Sequence, residues 1–121
     1  MKFAAPLVAF GFAALAFTGS AHAAAFDGNW SVLVITEHGS CDRGYRYEVA
    51  IADGKVSFRG QEAVKMNGTV TPSGAVKVAV AGGGSRVAEG SGKLTAQGGG
   101  GTWSGKSNSG DCGGRWEAER R

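Results

Sequence analysis

His38, Ser40 and Asp42 fall within the stretch Glu37-His38-Gly39-Ser40-Cys41-Asp42-Arg43. These are the residue types of a hydrolytic triad, in which histidine, oriented by a carboxylate, takes the proton of an attacking serine. Crowded so closely along one short segment, they cannot readily adopt that geometry, and no catalytic residue is assigned. The same stretch is nonetheless the most chemically varied of the chain. Glu37, His38, Asp42 and Arg43 are therefore the candidate partner-contact residues, on a loop of the kind that carries recognition when a rigid scaffold holds it.

Other chemistries find less support. His38 is the only histidine beyond His22, and the two cysteines do not form a C-x-x-C pair, so neither a zinc site nor an attached haem is expected. Met66 reads as a core residue. The ten carboxylates show no acid–base pairing. The runs Gly82-Gly83-Gly84 and Gly98 to Gly101 lack the lysine, the spacing and the following helix of a phosphate cradle. They read as turn chemistry. No cofactor and no enzymatic activity are expected.

The elements that would position the polar loop begin with export. Lys2 precedes an apolar run from Phe3 to Phe17, which is broken by Thr18-Gly19-Ser20 and followed by Ala21-His22-Ala23. That order of basic, apolar and small-x-small segments is a signal peptide, with cleavage expected after Ala23 (Ala24 or Ala25 as fallbacks). The run is shorter than the roughly 20 residues a membrane-spanning helix needs. Residues 1–23 are thus the signal peptide and 24–121 a single small domain, periplasmic or extracellular. In an oxidising compartment Cys41 and Cys112 are expected to form a disulfide. The formal net charge is +3, one unit of it from Lys2, which is too small a surplus to argue for nucleic acid.

Almost every segment beyond the signal alternates with period two, and none sustains a period of 3.6. Tyr45, Tyr47, Val49 and Ile51 share one face, and Asp53-Gly54 then signals a type I′ hairpin. Pairing Ala52 with Lys55 sets Ile51 against Val56 and Val49 against Phe58. A second hairpin joins Val64–Val70 to Ala75–Val80 through Pro72-Ser73-Gly74. Shorter strands are expected around Val87, Leu94, Trp103 and Trp116, and with Trp30–Thr36 at the start the total is about eight. Each tryptophan stands two residues after a glycine, in Gly28-Asn29-Trp30, Gly101-Thr102-Trp103 and Gly114-Arg115-Trp116. A glycine there leaves bare backbone for the indole to cover.

Cys41 follows the first strand and Cys112 precedes the last, so their bond fits first and last strands lying side by side. The fold expected is all-β, an antiparallel meander closed into a barrel, with a two-sheet sandwich as the alternative. A membrane-spanning barrel is not expected, because the strands read shorter than about 9–11 residues and point Lys, Arg, Glu and Thr outward.

The stretches Asp27-Gly28-Asn29-Trp30-Ser31-Val32, Gly39-Ser40-Cys41-Asp42-Arg43, Tyr45-Arg46-Tyr47 and Cys112-Gly113-Gly114-Arg115-Trp116-Glu117-Ala118-Glu119-Arg120 resemble a family of small exported bacterial proteins of unknown function. Gly28-Asn29-Trp30 is also similar to the first strand of lipocalins, and the small barrel with one disulfide to periplasmic metalloprotease inhibitors. The family brings no established activity, and it is the compact β domain with a tethered polar loop and no catalytic constellation that leads to the expectation of a monomeric, non-catalytic binding or interaction module. Its partner would be a protein, or a small ligand held as in a calycin, or a protease, met outside the cytoplasm. The inward aromatics would line such a ligand cavity, although in so short a barrel the expectation is that they fill it.

Overall fold

The structure is a computed structural model describing residues 25–82 and 86–121. The signal peptide expected at 1–23 and the Gly83-Gly84 part of one glycine run lie outside the described residues. Eight antiparallel strands run in sequence order: β1 (Gly28–His38), β2 (Gly44–Ala52), β3 (Lys55–Phe58), β4 (Lys65–Val70), β5 (Ala75–Ala81), β6 (Val87–Leu94), β7 (Gly98–Ser107) and β8 (Gly110–Arg120). Each pairs with its neighbour in the chain, and β8 pairs with β1, so the sheet is a closed barrel rather than a sandwich.

The period-two alternation sets the inside and the outside. Trp30, Val49, Ile51, Val56, Val70, Val76, Leu94 and Trp116 form the buried core, while Lys55, Lys77, Lys93 and Glu117 occupy the exposed positions between them. The β2–β3 hairpin has the register that its hydrophobic pattern requires, with Ala52 opposite Lys55, Ile51 opposite Val56 and Val49 opposite Phe58. Asp53 and Gly54 take φ angles of 52° and 75°, the left-handed pair of a type I′ turn.

Three expectations need correction. Val87 and Leu94 belong to one strand, β6, rather than two, because Glu89-Gly90-Ser91-Gly92 between them pairs along its whole length with β5 and β7. Gly98–Gly101 is likewise strand and not turn. A methyl group at Gly101 would collide with the Ser91 carbonyl, so only glycine lets β7 lie this close to β6. Cys112 stands inside β8 rather than before it, since β8 begins at Gly110.

The glycine–tryptophan pairs also work differently from the expectation. Gly101 is opposite Trp116 and Gly114 is opposite Trp103, and each indole reaches past that glycine's strand to a carbonyl of the next one, Ser91 for Trp116 and Ile35 for Trp103. The Trp116 ring extends further, over β6, where a methyl at Gly92 would stand 2.6 Å from its Cζ2.

Four strands are 9 to 11 residues long, so strand length does not separate this barrel from one that spans a membrane. The inward faces are largely apolar, and outward positions carry Lys55, Lys77, Lys93 and Glu117.

Candidate ligand cavity

The two ends of the barrel differ. At one end the strands are joined by short turns, and the segment before β1 folds underneath. Phe26 is buried there, and its backbone carbonyl accepts a hydrogen bond from Trp30 Nε1 at 2.9 Å. Arg120 stacks 4.7 Å over the Trp30 ring. Its guanidinium donates to the carbonyls of Asp27 (2.7 Å), Ala25 (2.8 Å) and Ala96 (2.9 Å), tying the incoming chain to the β6–β7 turn. Gly28 is needed at this point, because its φ is +132° and a methyl there would stand 3.0 Å from Arg120 Nη1. This end is closed.

Among the described residues, the other end is open. The barrel interior contains a cavity of about 640 Å³, within the roughly 300–1,000 Å³ of small-molecule sites. Val32, Val34, Met66, Val78, Trp103 and Trp116 are among the residues that build its wall. The indole N–H groups of this wall are already engaged: Trp103 Nε1 donates to the Ile35 carbonyl at 3.0 Å and Trp116 Nε1 to the Ser91 carbonyl at 3.1 Å. Among the described residues, no buried side-chain polar atom lacks a partner. The interior therefore offers a guest apolar contact rather than hydrogen bonds. The aromatics that were expected to fill the barrel stand against its wall instead, because the glycines of β6, β7 and β8 leave the indoles room to lie flat.

Polar groups gather at the mouth. Tyr45 and Tyr47, two apart on the inward face of β2, stack with ring centroids 6.2 Å apart, and Phe58 meets Tyr47 edge-on at 5.7 Å. β3 and β4 are paired only at Lys55–Thr69 and Val56–Gly68. Beyond Val56 the two strands part, and the connection 59–64 brings Glu62, Ala63 and Val64 to the cavity. Arg86 reaches the mouth from the opposite hairpin. Burial raises the Tyr47 pKa above its ordinary value, and the charges of Tyr45 and Glu62 raise it further, while Arg86 opposes them.

The candidate contact residues Glu37, His38, Asp42 and Arg43 lie at this same end but do not converge on one pocket. Glu37 forms an exterior ion pair with Arg115 at 2.7 Å, and that contact is the main reason the guanidinium pKa rises. The His38 imidazole lies over Gly113, where a methyl would be 2.6 Å from Cε1. The Asp42 carbonyl accepts from Thr36 Oγ1 at 2.6 Å and the Arg43 carbonyl from Thr36 N at 3.0 Å, and both residues are exposed. The Cys41–Cys112 disulfide, with a Cα–Cα distance of 6.0 Å, and the Ser40–Ser109 hydroxyl contact at 3.0 Å fasten this loop to the start of β8.

The triad types His38, Ser40 and Asp42 do not assemble either, since Ser40 Oγ bonds Ser109 rather than His38. No group of three or more potential metal ligands occurs among the described residues. Arg86 and Glu62 went unnoticed in the sequence. Arg86 could have been found by carrying the inward alternation of β6 two residues back from Ala88, whereas nothing in the pattern marks Glu62. No protein-family model, curated protein or solved structure matches the chain.

Proposed function

We propose that the protein is a non-catalytic binding module that works outside the cytoplasm and carries a small, largely apolar molecule inside its barrel. One observation supports this above the others: an apolar cavity of about 640 Å³ that opens at one end, with its wall indoles already hydrogen-bonded to backbone carbonyls. Such a space favours a guest that gives up water without requiring buried hydrogen bonds. The disulfide is compatible with an oxidising location.

The test is titration with the neutral dye N-phenylnaphthylamine, whose emission rises in apolar surroundings. Saturable enhancement is expected, with quenching or transfer from the tryptophans in the wall. Val78→Trp places an indole in the cavity and should weaken the dye by about tenfold or more, some 1.4 kcal/mol, while the melting temperature stays close to that of the parent. Folded protein that leaves the dye dark would refute the reading, as would undiminished binding by the variant.

A second reading is a protein contact through the fastened loop. It is favoured by the exposed His38, Asp42 and Arg43 side chains beside a disulfide that limits their freedom. Replacing all three by alanine should release a protein partner captured from extracytoplasmic fractions. Retention of every partner would end it.

A further inference from the structure

We propose that the molecule carried is amphipathic, with an apolar tail in the barrel and an anionic head, a carboxylate, held at the mouth by Arg86. This rests on the cavity reading above and specifies its ligand.

The placement of Arg86 follows from the ladder. Val80 and Ala88 are a cross-strand pair of β5 and β6, and Val80 lines the cavity. Two residues further along each strand the same face returns, which brings Gly82 and Arg86 to the inward side at the lip. The hairpin continues there, with Gly82 N donating to the Arg86 carbonyl at 3.0 Å. A methyl at Gly82 would lie 3.7 Å from Arg86 Cβ and 3.9 Å from Cδ, so the arginine stem spreads over the bare glycine. Its charge is felt across the mouth at Tyr47 on β2.

This guanidinium makes no ion pair among the described residues; the pairs present are those of Arg115 and Arg121 on the outside. Arginine keeps its charge at any physiological pH, and its planar fork matches a carboxylate with two parallel hydrogen bonds. The phenols of Tyr45 and Tyr47 line the same cavity across the mouth from it, with no hydrogen bond of their own among the described residues, and each can donate one to an anion. The mouth also carries Glu62, which repels such a head. Glu62, however, belongs to the irregular connection 59–64, whereas the strand ladder directs Arg86 inward. Below the lip the wall offers only apolar contact, so the charge of a guest has to remain at the mouth.

The experiment compares three ligands with the same tail, lauric acid, lauryl alcohol and laurylamine, by displacement of N-phenylnaphthylamine from the disulfide-bonded protein. The acid is expected to bind about tenfold tighter than the alcohol, the size of one charge-assisted contact, and the amine weakest. Arg86→Gln should abolish the acid's advantage while leaving alcohol affinity within a factor of about two. Glu62→Gln should strengthen the acid.

Equal affinity for acid and alcohol would overturn the assignment, as would an acid preference that survives Arg86→Gln or tightest binding by the amine. Dye binding that none of the three ligands displaces would also overturn it, yet would leave the cavity reading standing. Failure of the dye itself to bind would overturn both.

Discussion

The closed end of the barrel and its open end are stabilised by different means. At the closed end Trp30, only 1% exposed, lies among Ile51, Val56, Val70 and Leu94, and the Arg120 guanidinium covers its ring. Burial does the stabilising there, and no covalent link crosses it. These side chains also form the floor of the cavity, whose walls toward the open end forgo the dispersion contacts that a filled core would supply. The Cys41–Cys112 bond lies at that end and joins the β1–β2 loop to β8. A protein that keeps space for a guest gives up packing where the guest enters, and here a cross-link acting on the unfolded chain offsets that loss.

Trp30→Ala tests the closed end most severely. Removing this buried indole should cost about 4 kcal/mol, because its contacts with the core are lost, the void adds to the cavity it lines, and Arg120 loses the ring it covers. Denaturant unfolding would measure it, and a loss under about 2 kcal/mol would show that this end is not held by packing. Replacing both Cys41 and Cys112 by serine should cost about 4 kcal/mol by the chain-entropy model for a link across 71 residues. Dye binding at low temperature should survive in that variant, since Cys41 is the one lining residue it changes and serine is nearly the same size.

A matched pair sharpens the contrast. Ile51→Ala, at a position 5% exposed in the closed half, should cost about 3 kcal/mol. Met66→Ala, which lines the same cavity as Ile51 but is only half-buried, should cost about 1 kcal/mol because part of its surface is already exposed. Equal losses would mean that the open half is packed as firmly as the closed one.

The smallest effect is alkaline. The Tyr47 pKa lies above its unfolded value, mainly through burial, so the folded state holds that proton more tightly. Its contribution is complete below the ordinary tyrosine pKa near 10 and declines as pH rises through the folded value. The parent should therefore lose stability above about pH 10 more steeply than Tyr47→Phe, as followed by melting temperature.

Much of the fold was legible because each segment carried its own instructions. Asp53-Gly54 could adopt only a few turns, and with alternating apolar residues on both sides a single register kept Val49, Ile51, Val56 and Phe58 on one face. The disulfide and the closure of β1 on β8 could be argued from where the two cysteines stand relative to the terminal strands. β6 and the first half of β7 were less legible. Gly90, Gly92 and Gly98–Gly101 show no alternation, and their reason for being strand is the room their neighbours require. The mouth was least legible, because Glu62 acquires its place only when the connection 59–64 folds against the neighbouring β2 near Tyr47.

By itself, then, the chain determined an all-β meander, the register of its β2–β3 hairpin, its cross-link and its inward face, since period-two patterning, turn chemistry and cysteine position are local properties. The tertiary structure alone decided whether the inward aromatics would fill the barrel or line it. That outcome depends on which glycine lies opposite which tryptophan. With Gly101 opposite Trp116 and Gly114 opposite Trp103, each indole reaches a carbonyl one strand further round the wall, and the interior stays open.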